Sequence, residues 1–153
     1  MTRAGLDHPA DIIGRLLVRI YELHAAILEK GGGGIEGIRD AAMLHAAIAR
    51  PFSTFAGIEL YPSDFDKAAA LFHSLIKSHP FMDGTKRTAF AGALYLLHER
   101  GYVPRRPLPK AEVIRFCVEL AEEEQRRAAG GRVEAKTISE ISAWLESLVE
   151  RPS

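Results

Sequence analysis

The sequence contains a single cysteine, Cys117, in 153 residues, so no disulfide can form within the chain. Cys117 sits in an apolar, helix-periodic stretch, which reads as a buried inert thiol rather than a nucleophile. Neither sign of charge is in excess, since Lys+Arg and Asp+Glu both number 20. This balance argues against direct nucleic-acid binding through a broad basic surface. No apolar run approaches the roughly 18 residues of a membrane span, and no signal-like hydrophobic stretch opens the chain. The expectation is a cytoplasmic protein that does not engage the membrane. Internal repeats are absent as well. What remains is ordinary for a soluble globular chain, with 47% hydrophobic and 26% charged residues. The length suits a single domain over 1–153 with a real core.

Helical periodicity dominates. Asp7 or His8 can cap a first helix with Pro9 at its first position, and Ile12, Ile13, Leu16, Leu17, Ile20, Leu23, Ile27 and Leu28 form its apolar face. Tyr21 and His24 flank that face and read as packing or structural hydrogen-bonding residues. The glycines at 31–34 end the helix in a mobile loop. Asp40 caps a short helix over 41–49 that Pro51 stops. The stretch from Phe52 to Tyr61 loses the helical period. Phe52, Phe55, Ile58, Leu60 and Tyr61 surround Gly57 there, which fits either a small hairpin able to bind a peptide by strand addition or a loop covering the core.

Ser63-x-x-Asp66 opens the next helix as a capping box, and Pro80 ends it near Ser78. His73 beside its apolar stripe reads as a core or rim histidine. A helix over 88–100 follows, crowded with small residues and expected to lie at the centre of the bundle, with Gly101 at its C-terminal end. Residues 104–109 form a linker with solvated charges. A fifth helix is expected over 110–129, with Val113, Ile114, Phe116, Cys117, Leu120 and Ala121 inward and an exposed charged tail at 122–127. Thr137-x-x-Glu140 opens the last helix. Its Trp144 can pack either at home or against a partner. The expected fold is an all-α, compact bundle of six helices.

Reactive side chains concentrate between the third and fourth helices, in His79-Pro80-Phe81-Met82-Asp83-Gly84-Thr85-Lys86-Arg87. His79 leaves a helix end and titrates near neutrality, which suits a base for a hydroxyl nucleophile. Phe81 can anchor the loop in the core. Asp83 is a hard oxygen ligand of the kind Mg²⁺ takes when phosphate oxygens supply its other contacts. Gly84 permits a turn and close backbone approach. Thr85 offers a backbone N–H and a hydroxyl at a helix N-terminus, where anions are favoured. Lys86 and Arg87 add charge there, and Arg87 can bind phosphate oxygens bidentately. Two cations in a first turn oppose the helix dipole, so either an anion or nearby carboxylates should compensate them. The same residues could also form an ordinary turn and cap.

This stretch resembles the signature H-x-F-x-D/N-A/G-N-K-R of the Doc (death on curing) branch of the Fic superfamily. The resemblance runs from the first helix to Trp144, through Gly-Ile-Arg-Asp at 37–40, Leu60-Tyr61-Pro62, Lys67-Ala68-Ala69 and Phe72-His73-Ser74-Leu75-Ile76. It implies a compact helical domain that uses ATP and Mg²⁺. His79 then corresponds to the general base and Asp83 to the Mg²⁺-holding carboxylate. Gly84, Thr85 and Lys86 correspond to the anion nest, and Arg87 to a phosphate-binding arginine. Residues 52–61 match the region of a target-docking flap, here Phe52, Phe55, Gly57, Ile58 and Leu60.

Fic enzymes that transfer AMP usually read G-N-G-R where this chain has Gly84-Thr85-Lys86-Arg87. A lysine at 86 implies the Doc activity, which is transfer of the γ-phosphoryl group to a hydroxyl of a translation factor of the elongation factor Tu class. The alternatives are AMP transfer and a catalytically weakened, partner-binding relative, because Thr85 replaces the motif's Asn. Ala91 likewise stands where some Doc proteins have Asn. The resemblance also implies a toxin neutralised in trans by a Phd-type antitoxin. The inhibitory pattern S/T-x-x-x-E-G/N of other Fic proteins is not matched, since Gly32 precedes Glu36-Gly37.

Overall fold

The structure, a computed structural model, describes residues 8–31, 34 and 37–152. His8 caps helix α1 (Pro9–Lys30) by accepting from the Ala10 N–H through Nδ1, with Pro9 at the first position where no N–H is needed. The alternative cap, Asp7, lies outside the described residues, as do Gly32, Gly33 and Glu36. Asp40 accepts from Met43 N–H to open α2 (Ala41–Ala49), which tightens into a single 3-10 turn at Arg50–Phe52. A hairpin of β1 (Thr54–Phe55) and β2 (Ile58–Glu59) follows, antiparallel, with Thr54 opposite Glu59. The hairpin expectation for 52–61 therefore holds.

Ser63 opens α3 (Asp64–Ser78) by accepting from Asp66 N–H. Eight of its 15 residues are buried, including Leu71, Phe72 and Leu75, and it packs against α2, α4, α5 and α7. This makes α3, rather than the small-residue helix after it, the centre of the bundle. That next helix, α4 (Thr85–Glu99), packs on α1 and α3. Its small residues do permit close approach: a Cβ at Gly92 would lie 2.5 Å from Ile20 Cδ1. The helix starts at Thr85 instead of 88, because Gly84 makes the turn and hands the chain directly into helix. Gly101, at φ +93, ends it as expected.

The fifth helix is interrupted. α5 (Lys110–Ala121) stops at Glu122, and α6 (Glu123–Ala128) begins again, giving seven helices among the described residues. The charged tail at 122–127 was expected to be solvated throughout, but Glu123 is only 2% exposed. Its Oε1 accepts from Lys77 Nζ at 2.7 Å and its Oε2 from Lys136 N–H at 2.8 Å. Pulling this carboxylate inward to satisfy a lysine on α3 breaks the helix. The linker strand β3 (Val103–Pro104) pairs with β4 (Val149–Glu150) beyond α7 (Ile138–Leu148), and Arg105 reaches Glu150 at 3.0 Å while the linker's charged residues stay exposed to solvent as expected. The capping box of α7 forms as read, with Thr137 and Glu140 bonding reciprocally. Trp144 packs at home, stacked on Phe116 at 3.7 Å and 3°. No helix among the described residues is long and apolar enough to cross a membrane.

Candidate active site

The His79 loop departs from α3 because of Pro80. The residue before a proline is disfavoured in right-handed helix, and His79 adopts the left-handed region at φ 47, ψ 60, its N–H still bonded to Leu75 O at 3.1 Å. For a side-chain-bearing residue this costs about 1–2 kcal/mol, so surrounding bonds must enforce it. They come from the segment just before α2. Arg39 Nε and Nη2 donate to His79 O at 2.9 and 2.7 Å, and Nη2 also donates to Ser78 O at 2.8 Å. The backbone beside it pairs with the loop: Arg39 N–H donates to Pro80 O, Met82 N–H donates to Gly37 O, and Ile38 bridges Phe81.

Phe81 is fully buried and stacks on His24 at 4.0 Å, so the expected anchor is present. His24 Nε2 lies 2.7 Å from Asp83 O. A carbonyl only accepts, so Nε2 carries the hydrogen. The structural role read for His24 is correct, and the structure adds what it supports: the backbone of the Asp83 turn.

The same rule fixes the ring of His79. Nδ1 lies 3.2 Å from Phe81 O and therefore donates, which leaves Nε2 as the basic nitrogen of the neutral ring. Thr85 Oγ1, 3.3 Å from the same Nδ1, shares that hydrogen. Thr85 is only 4% exposed. Its hydroxyl thus lies against His79.

Gly84 turns the chain at φ +75 and precedes α4 with no side-chain cap. A Cβ there would sit 3.2 Å from Leu28 Cδ2. The first N–H groups of α4 have no intrahelical partner, and Lys86 and Arg87 lie in that turn. Arg87 crosses to α1, with Nη1 3.5 Å from Ile27 O and in the space a Cβ at Gly31 would occupy. Among the described residues, no carboxylate forms an ion pair with Lys86 or Arg87. Two cations at a helix N-terminus without such compensation leave a strong local preference for an anion.

His79, Asp83, Gly84, Thr85, Lys86 and Arg87 all line one cleft of about 730 Å³. Its remaining wall is apolar and includes Ile27, Phe90, Ala91, Val113, Ile114 and Val118. Ile114, read as inward, is 64% exposed because it faces this cleft. Cys117 also lines the wall. Burial pushes its thiol up to about 11, with Lys86 opposing, so it is inert as expected. A hard carboxylate oxygen fits what Mg²⁺ takes. Asp83 offers one hard carboxylate, and no cluster of three or more His, Cys, Asp or Glu residues exists among the described residues to hold a metal alone.

The flap residues are placed separately. Ala56 at φ 52 and Gly57 at φ 79 make the tight turn of the hairpin. Phe55, Ile58 and Leu60 are 75%, 71% and 53% exposed, while Phe52 is half-buried against the core.

The sequence model of the Fic/DOC family matches residues 17–97, a little over half of the chain. The chain belongs to the Fic/DOC family. The matched span carries His24, Arg39, the hairpin, α3 and the whole His79–Arg87 loop, so His79, Asp83, Thr85, Lys86 and Arg87 all lie within it. The toxin Doc of Mycolicibacterium smegmatis is 49% identical over 69 residues, covering 45% of this chain and 53% of the relative. The match thus spans about half the length of that Fic/DOC protein. The Doc branch inferred from the His79–Arg87 motif agrees with it.

Sequence reasoning missed two features of the site. Arg39 received no role, because its acceptors are carbonyls some 39 and 40 residues away. The α5 wall of the cleft was read simply as core, because an apolar residue facing a cleft has the same periodicity as one facing a core.

Proposed function

We propose that this chain is a Doc-type toxin of a toxin–antitoxin system, a transferase that moves the γ-phosphoryl group of Mg-ATP onto a hydroxyl of a translation factor of the elongation factor Tu class and so arrests translation. The observation that carries the reading is the joint placement of His79, with Nε2 left basic, and the uncapped, doubly cationic start of α4 in one cleft. In this reading His79 Nε2 removes the proton of the acceptor hydroxyl. The N–H groups at the start of α4, with Lys86 and Arg87, hold the phosphate oxygens and stabilise charge during transfer. Asp83 would hold Mg²⁺, which supplies charge neutralisation on the phosphates when bound. The apolar wall of α5 gives the nucleotide a dry surface. Phe55, Ile58 and Leu60 present the hairpin to the acceptor protein as a strand-addition surface. Inhibition comes in trans from a Phd-type antitoxin.

Labelled ATP tests the reading. Label entering elongation factor Tu from the γ-position supports it, whereas label from the α-position makes the chain an AMP transferase. The position of Thr85 favours one further alternative, a weakened relative that mainly binds a partner, because its hydroxyl is engaged with His79 Nδ1. No transfer by the native chain, with robust transfer after Thr85→Asn, supports that alternative.

A further inference from the structure

Each strand of the hairpin is two residues long, and a two-stranded ladder of that size does not hold itself in place. Apolar packing does not hold it either, since both residues of each strand are exposed and Phe55, Ile58 and Leu60 face outward. What connects it to the bundle is polar. Lys67, on the first turns of α3, is 6% exposed, a burial that lysine accepts only when paired. Its Nζ donates to Glu59 Oε1 on β2 at 3.0 Å and to the backbone carbonyl of Tyr61 just beyond. Arg50, in the 3-10 turn before β1, holds the same Tyr61. It donates to the Tyr61 hydroxyl at 2.9 Å while lying over the Tyr61 ring, and it is itself braced by His73 Nδ1 and Ser74 Oγ.

We propose that Lys67 is a positioning residue for the acceptor: a buried ammonium latch, seconded by Arg50, that sets the angle at which the hairpin leaves α3 and hence the register in which an acceptor segment is presented to His79. The inference rests on reading the hairpin as the docking element. α3 carries Lys67 in its first turns and ends at His79, so one rigid helix joins latch and base. Lys67 is not among the residues that line the cleft, so its removal acts on acceptor binding and leaves nucleotide binding unchanged.

The test uses the full chain with Lys67→Met, which keeps the length of the buried side chain without its charge, and Glu59→Gln, which weakens the same pair from its exposed end. Hydrogen exchange of the amides of residues 54–60 reports the latch directly. Steady-state transfer of γ-label to elongation factor Tu reports its consequence. In Lys67→Met, hairpin exchange and the KM for the acceptor each rise about tenfold, while the KM for ATP stays within about twofold. Glu59→Gln gives smaller changes in the same direction and supplies the answer if Lys67→Met does not fold. Hairpin exchange as slow as in the parent overturns the latch. Faster exchange with an unchanged acceptor KM overturns the positioning role, provided Phe55→Ala does raise that KM. If Phe55→Ala leaves it unchanged too, the docking reading itself has failed.

Discussion

Residues 79–84 and 54–59 are both short excursions between helical segments, and both contain two residues at positive φ: His79 and Gly84 in the first, Ala56 and Gly57 in the second. Their support differs sharply. The first is clamped by Arg39, paired with residues 37–39, and anchored by the buried Phe81 stacked on His24. The second exposes its side chains and is tied only at its base, through Lys67 and Arg50. The proton transfer and phosphate binding proposed for the first loop need atoms held within fractions of an ångström, which fits a strained backbone that its surroundings enforce. A surface that receives a partner segment needs exposed edges and apolar side chains, and only its overall direction must be set.

Substitutions can break this contrast. The largest effect belongs to His79→Ala, which should lower initial rates of γ-label transfer by about 10²–10⁴-fold, with little loss of stability because His79 is not core. Undiminished transfer would remove His79 from the mechanism. Phe81→Ala should cost about 3–5 kcal/mol in urea unfolding and abolish transfer with it, since the anchor serves both fold and site. Phe55→Ala is the counterpart on the hairpin: stability should stay within about 0.5 kcal/mol, while acceptor binding weakens by more than about 1 kcal/mol, measured as the acceptor KM. If Phe81 and Phe55 behaved alike in both assays, the distinction between a braced loop and a presented one would fail. Gly84→Ala should cost about 1–2 kcal/mol in urea unfolding, because φ +75 strains any residue with a Cβ and Leu28 lies close.

The smallest effect sharpens the hairpin side. Burial lowers the pKa of His73, and Arg50 and Lys77 lower it further, against weaker opposition from Glu123 and Glu124. The folded chain therefore binds fewer protons at His73 than the unfolded chain does. This stability contribution is present above the unfolded pKa of about 6.5 and is lost as pH falls through the folded value below it. The geometry agrees, since the Arg50 guanidinium must donate to an unprotonated Nδ1. Urea midpoints should fall on acidification below about pH 6.5, and His73→Gln should flatten that part of the profile.

Much of the fold was legible in the residues because the signals are local. His8, Asp40, Ser63 and Thr137 each accept from an N–H two or three residues on, so a cap can be read from adjacent letters. The break at His79 follows from the proline beside it. The motif's content was likewise readable, and its six polar and glycine positions do share a cleft. The count of helices was not readable, because α5 and α6 part where Glu123 turns toward a lysine 46 positions earlier. Periodicity carries no information about such a pairing.

The sequence alone therefore determined which segments are broadly helical, the caps that open α1, α2, α3 and α7, and which chemical groups stand between α3 and α4, since these depend on backbone preferences and neighbours within a turn. Only the tertiary structure decided how those groups are used. Arg39 enforces the left-handed His79, His24 fixes the Asp83 carbonyl, and Thr85 lies against the His79 ring. Ile114 opens onto the cleft, and Lys67 ties the hairpin to the helix that ends at His79. Each of these outcomes depends on which surfaces meet when helices pack, and most of the partners are far apart along the chain. Even the close pair, Thr85 and His79, meets only because the loop between them is held by residues from α1 and from the segment before α2.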